Sequence, residues 1–114
     1  MLILRFAAGM SSLGLLVMVA GTVLGQDYPS RTVRVTTAAP GGSTDRAARL
    51  IAQGLSTSLG QQFVVEPRGG TPVTAADYVA KATPDGYTVL FTTSGHWVGP
   101  LMEKVPYDSV RDFT

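Results

Sequence analysis

The chain has no cysteine, so disulfide frameworks, thiolate metal sites and thiol catalysis are all excluded. Lysine is scarce: Lys81 and Lys104 are the only two. Neither lies near a glycine loop, which removes the lysine-ended phosphate loop, and no three-glycine dinucleotide fingerprint is present. His96 is the single histidine, so no histidine cluster is available for a metal. No nucleophile-elbow sequence accompanies a serine, and no catalytic residue is assigned. Excess charge of one sign is missing as well. Nine basic residues face eight acidic ones among 114, and Arg5 is the only charge in the first 25. Beyond residue 25 the chain is therefore neutral and offers no electrostatic footprint for nucleic acid.

What the N-terminus does have is Arg5 followed by an uncharged stretch, Phe6 to Gly25, with the core "LGLLVMVAGTVL" at Leu13 to Leu24. That is the length of a signal-peptide apolar region, and small residues follow it. Twenty uncharged residues are also enough to cross a bilayer. Gly9, Ser11, Ser12, Gly14 and Gly21 weaken that alternative, and the reading is an export leader over residues 1–25, cleaved near Gly25. The remaining chain, 26–114, is expected not to span a membrane and suffices for one small domain, which buries a modest share of its surface.

Strand and helix patterns alternate along it. "RTVRVTTA" (Arg31 to Ala38) sets Val33 and Val35 among polar neighbours and ends at proline and glycine, as a strand feeding a turn does. From Asp45 to Leu59, Ala47, Ala48, Ile51, Leu55 and Leu59 fall on one helical face, with Gly60 as the stop. "QFVVE" (Gln62 to Glu66) is a short strand ended by Pro67. Val73 to Ala82 reads as a helix capped by Thr74, with Ala75, Ala76, Tyr78, Val79 and Ala82 facing the core. Pro84-Asp85-Gly86 makes a turn into the strand Tyr87 to Thr92, apolar on both faces. Beyond Ser94, closely spaced glycines and prolines predict a loop, a short helical turn near Leu101 and another loop. This order gives an α/β fold, a parallel sheet with helices on both faces.

In such a sheet, ligands bind beyond the carboxyl ends of the strands. Three loops occupy that edge: Pro40 to Asp45, Arg68 to Pro72 and Thr93 to Trp97. In the first, Gly41 and Gly42 admit close backbone approach, and the amides of Ser43, Thr44 and Asp45 at a helix start can donate to an anion. A plain turn with a helix cap is the alternative, because Asp45 can itself occupy those amides. Asp45 and Arg49 are spaced for an ion pair on the helix surface. His96 is read as a packing residue or as a hydrogen-bond donor on the rim of the crevice.

"YPSRTVRVTTAAPGGSTDRAARLIAQGLSTSLGQQFVVEPRGG", "AADYVAKATPDGYTVLFTTSGH" and "VPYDSVRDF", taken in order, resemble the N-terminal part of the tripartite tricarboxylate transporter substrate-binding proteins, the Bug (TctC-like) family. The matching features are Tyr28-Pro29-Ser30, Pro40-Gly41-Gly42 leading to Asp45 and Ala48-Arg49, Leu59-Gly60-Gln61, Pro84 to Tyr87, and Pro106-Tyr107-Asp108 with Asp112-Phe113. The resemblance implies a partial first lobe of a type II periplasmic binding protein, with strand order 2-1-3. It also implies export to the periplasm and a small organic acid passed to membrane transporter subunits of the tripartite tricarboxylate type, with no cofactor and no metal. Gly41, Gly42, Ser43 and Thr44 match the family's first ligand loop, and Thr93, Ser94 and His96 its third-strand loop. Gly70 and Thr71 are secondary candidates, because the family's second loop has a longer glycine-alanine run. Two other readings stand beside this one: an exported α/β fragment that binds nothing, and a fragment of a nucleotide-binding enzyme.

Overall fold

Val33–Thr37, five residues that are all β-branched except Arg34, form strand β1 in a computed structural model that describes residues 27–113. The leader expected over residues 1–25 lies outside the described residues. Helix α1 follows at Ser43–Leu59, then β2 at Phe63–Pro67, helix α2 at Pro72–Ala80, β3 at Thr88–Leu90 and helix α3 at Gly95–Met102. The sheet runs β2-β1-β3 with both pairs parallel, as expected. Val35 of β1 stands opposite Val65 and Val89. No helix among the described residues is long and apolar enough to cross a membrane.

Because β1 is central, it is covered on both faces except at Arg34, which is exposed. Val33, Val35 and Thr37 share one face and Thr36 lies on the other, and all four are buried. Full burial of a valine contributes about 1.5–3 kcal/mol, so β1 is the spine of the small core. Helix α1 packs on β1 and β2, and α2 packs on β3, β1 and α3. With β2 and β3 flanking β1, right-handed crossovers carry α1 and α2 to opposite faces. Both helices approach the sheet through alanine: Ala48 and Ala52 on α1, Ala75 and Ala76 on α2.

The core face of α1 differs from the sequence expectation. The stripe Asp45, Ala48, Ala52 is buried, while Ile51, Leu55 and Leu59 are 48%, 37% and 46% exposed. The helix is turned so that its smallest side chains meet the sheet. It stops where Gly60 takes φ +70° and donates its N–H to Ser56 O. The Ser56 hydroxyl then accepts from Phe63 N–H at 2.9 Å, fixing the turn into β2. Pro67 does not end β2 but closes it, opposite Thr37. A proline is tolerated on an edge strand, and Arg68 N–H continues the ladder to Thr37 O.

Helix α2 begins two residues before the expected Thr74 cap. Thr71 is the cap, its hydroxyl accepting from Thr74 N–H at 3.2 Å, with Pro72 in the first turn. The Pro84-Asp85-Gly86 turn forms with Gly86 at φ +80°, and Asp85 accepts from Tyr87 N–H. After β3 a helix starts at Gly95, where a loop was expected, and runs through the expected helical turn near Leu101, with Pro100 inside it. Pro100 has no N–H to offer His96 C=O, and Ser109 Oγ donates to that carbonyl at 3.1 Å. The segment after α3 folds back over it. The Tyr107 ring stacks on His96 at 5.3 Å, and Phe113 meets His96 edge-on at 4.7 Å.

Candidate functional site

The loops after β1 and β3 leave neighbouring strands at the same edge of the sheet and part toward opposite faces, since α3 lies with α2. The crevice rule for parallel sheets puts a ligand there. In the first loop Gly41 takes φ +79°, a left-handed conformation that glycine adopts without strain. Gly42 is the helix cap residue, extended, and makes no side-chain capping bond. Its carbonyl accepts Arg46 N–H at 3.0 Å. The amides of Ser43, Thr44 and Asp45 donate to no protein group among the described residues. They open the 17-residue helix α1, whose dipole concentrates roughly half a positive charge at this end.

Asp45 does not occupy these amides. Its Oδ2 accepts Gly41 N–H at 3.0 Å and Arg49 Nε–H at 3.1 Å. The expected pair with Arg49 therefore forms, but Asp45 is buried at 4% exposure rather than displayed on the surface. The Gly41 amide first, and Arg49 second, hold its carboxyl below the usual carboxylate range. Sequence reasoning took Asp45 for a surface residue; the signal against that was its place at the first inward turn of a helix leaving a central strand. Thr36 and Thr37, which close β1, were read as polar partners of the valines. Both are fully buried, because the carboxyl half of the central strand is covered on both faces, whereas Arg34 nearer its start is exposed.

Thr93 and Ser94 are exposed at the end of β3. Their carbonyls are engaged, Thr93 O by His96 N–H and Ser94 O by the amides of Trp97 and Val98. Their hydroxyls make no hydrogen bond among the described residues, as is true of Ser43 and Thr44. His96 is not a rim donor: it is 3% exposed within the Trp97, Tyr107 and Phe113 rings. Burial pushes its pKa down, and Nδ1 has no partner among the described residues. In the second loop Thr71 is committed to capping α2, and Gly70 is exposed with open space where a Cβ would stand.

Clefts open elsewhere too, two of them sizeable. One of about 590 Å³ sits toward the amino ends of β1 and β3, lined by Arg31, Arg34, Glu66, Asp85 and Tyr87. Its cations are already matched, Arg31 to Asp85 at 2.8 Å and Arg34 to Glu66 at 3.8 Å. The other, about 660 Å³, runs past Val79, Ala82, Leu90 and Phe113 and is largely apolar. Among the described residues no group of histidine, aspartate and glutamate is placed to hold a metal. The amides of Ser43, Thr44 and Asp45 at the head of α1 thus bring three donors, uncommitted among the described residues, together with a helix dipole.

Residues 47–114 match the family described as "Tripartite tricarboxylate transporter family receptor". A UPF0065 protein of Bordetella bronchiseptica is 48% identical over 91 residues, which is 76% of this chain and 27% of that protein. Among solved structures, MatC from Rhodopseudomonas palustris with bound malate is 37% identical with a TM-score of 0.65, covering 76% of this chain and 31% of its own. An R. palustris protein with adipate is 43% identical with a TM-score of 0.56, covering 60% and 24%. The chain spans about a quarter to a third of the length of the proteins it matches.

Proposed function

Because the chain belongs to the tripartite tricarboxylate transporter receptor family, the Bug (TctC-like) binding proteins, we propose that its Pro40–Asp45 loop holds one carboxylate group of a small organic acid. It does so as part of a periplasmic binding protein, exported by residues 1–25, that passes the acid to membrane transporter subunits. The observation that carries this reading is the set of uncommitted amides of Ser43, Thr44 and Asp45 at the head of α1. Support comes from the solved neighbours, two of which hold dicarboxylates, malate and adipate.

Gly41 and Gly42 give the ligand access to the backbone, and Ser43 and Thr44 add hydroxyl donors. Thr93 and Ser94 contribute from the β3 side of the crevice. His96 acts indirectly by packing the start of α3 beneath Ser94, while Thr71 and Gly70 have the weakest geometric support. No step of this function needs a catalytic residue, a cofactor or a metal.

The chain spans about a quarter to a third of its relatives, so an acid bound to it alone makes only part of its contacts. Halving a micromolar binding free energy of about 8.2 kcal/mol leaves about 4.1 kcal/mol, a millimolar affinity. That span also favours the second reading, an exported α/β unit that binds nothing unaided. The test is calorimetry with malate and adipate on a chimera carrying the remaining residues of the B. bronchiseptica relative. Gly42→Val should abolish binding without unfolding, since a Cβ there meets nothing within 4 Å. Unchanged affinity would reduce the loop to a turn and a helix start.

A further inference from the structure

We infer that Asp45 is the positioning residue of the carboxylate cradle, holding Gly41 in its left-handed conformation so that the amides behind it face the ligand, with Arg49 cancelling its charge. The inference rests on the reading of the Pro40–Asp45 loop given above. An acidic residue in a first helical turn ordinarily sits in water, where the dipole alone favours it. Asp45 is buried instead, and its Oδ2 is doubly used, by Gly41 N–H at 3.0 Å and Arg49 Nε–H at 3.1 Å.

Two consequences follow from that geometry. The Gly41 peptide is tied to a rigid helix at a position where φ is +79°, and the chain direction into Gly42, Ser43 and Thr44 is set with it. A carboxylate beside an anion site would repel the ligand. Here its Oδ1 is buried away from solvent and its charge is matched by an arginine, so the ligand meets the amides and the dipole rather than a bare negative charge. The Asp45 side chain touches no ligand in this scheme and acts through Gly41.

The experiment follows the backbone amides of Gly41 to Thr44 by NMR in the full chain, free and titrated with malate. Without ligand, Asp45→Ala should shift these amides and speed hydrogen exchange at Gly41 while leaving the sheet signals in place. Asp45→Asn offers one carbonyl oxygen that can accept both bonds, as Oδ2 does, and should stay near wild type. With malate, the dissociation constant should rise up to about tenfold in Asp45→Ala, because the loop no longer waits in its binding conformation, and be largely retained in Asp45→Asn. Arg49 is on the outer helix surface, 55% exposed. Arg49→Gln should therefore keep the fold and the Gly41 signal yet weaken malate through the unmatched charge.

Unmoved Gly41 to Thr44 amides in Asp45→Ala, or Asp45→Asn behaving like Asp45→Ala, would overturn the inference. So would Arg49→Gln binding malate as well as wild type. If Asp45→Ala does not fold, Asp45→Asn and Arg49→Gln decide by the same criteria. Amides that ignore malate both in the chain and in the chimera described above would refute the carboxylate reading alone, and the ligand-free comparison would still decide what Asp45 does to Gly41.

Discussion

Replacing Gly42 by serine should make the protein more stable and a poorer binder at once. Gly42 is the cap residue of α1, extended at φ −76° and ψ 175°, with no side-chain capping bond. A Cβ built on it meets nothing within 4 Å. A serine oxygen there can accept from the amide of Thr44 or Asp45, a change from glycine worth a few tenths of a kcal/mol. Loss of glycine's freedom in the unfolded chain adds about 0.4–1 kcal/mol. The total, about 0.5–1.5 kcal/mol, should raise the urea midpoint by roughly 0.5 M for a slope of about 2 kcal/mol per molar. The same hydroxyl competes with a carboxylate for the amides, so malate binding measured by NMR or calorimetry should fall. Gly41→Ala is the contrast: at φ +79° an alanine costs about 1–2 kcal/mol, and the midpoint should drop. Greater stability with unchanged malate binding, or no gain in stability, would refute the claim that these amides are uncommitted and ligand-facing.

Thr71→Ala removes the bond from Thr74 N–H that starts α2 and should cost about 1 kcal/mol in urea unfolding; no loss would mean Pro72 alone starts the helix. Ala48→Leu forces bulk into the close approach of α1 to the sheet, where Ala48 is 1% exposed. About 1–3 kcal/mol should be lost, whereas Ile51→Ser on the exposed flank should cost little; equal effects would contradict the observed helix rotation. Burial depresses the His96 pKa below its ordinary 6.5. The unfolded chain therefore takes up a proton that the folded one resists, so stability is complete above about pH 6.5 and declines as the pH falls through the window beneath it. His96→Phe should flatten that slope in unfolding measured against pH, and an unaltered slope would show that the residue is not the source.

Strand and helix order was legible because each element carries its own period and its own stop signal: Val33 and Val35 before Pro40, Gly60 after Leu59, Pro84-Asp85-Gly86 before β3. These are local choices, set by backbone conformation and side-chain patterning within a few residues. The parallel sheet followed from that alternation, and the strand order from the family resemblance. The glycine loop leading into α1 was equally visible, since glycines before a helix start mark a turn through backbone conformations that other residues resist.

Local pattern could not say which residues the third dimension would bury. Periodicity put Ala47, Ala48, Ile51, Leu55 and Leu59 on the core face of α1; Ala48 is buried there, but with Asp45 and Ala52, while Ile51, Leu55 and Leu59 stay partly exposed, because the rotation of a helix on its sheet depends on what it packs against. Proline and glycine spacing confined helix after Ser94 to a short turn near Leu101, whereas α3 runs from Gly95 to Met102. A hydroxyl from Ser109, thirteen residues away, takes the carbonyl that Pro100 leaves without a partner, so α3 forms. For His96 packing and a rim position stood side by side, and Asp45 was assigned to the surface because a charged side chain is usually solvated there. Tertiary packing surrounded one with aromatic rings from the end of the chain and gave the other a backbone amide and an arginine. Sequence determines what each segment can be; burial and hydrogen-bond partners depend on residues far apart in the chain, so only the folded arrangement decides them.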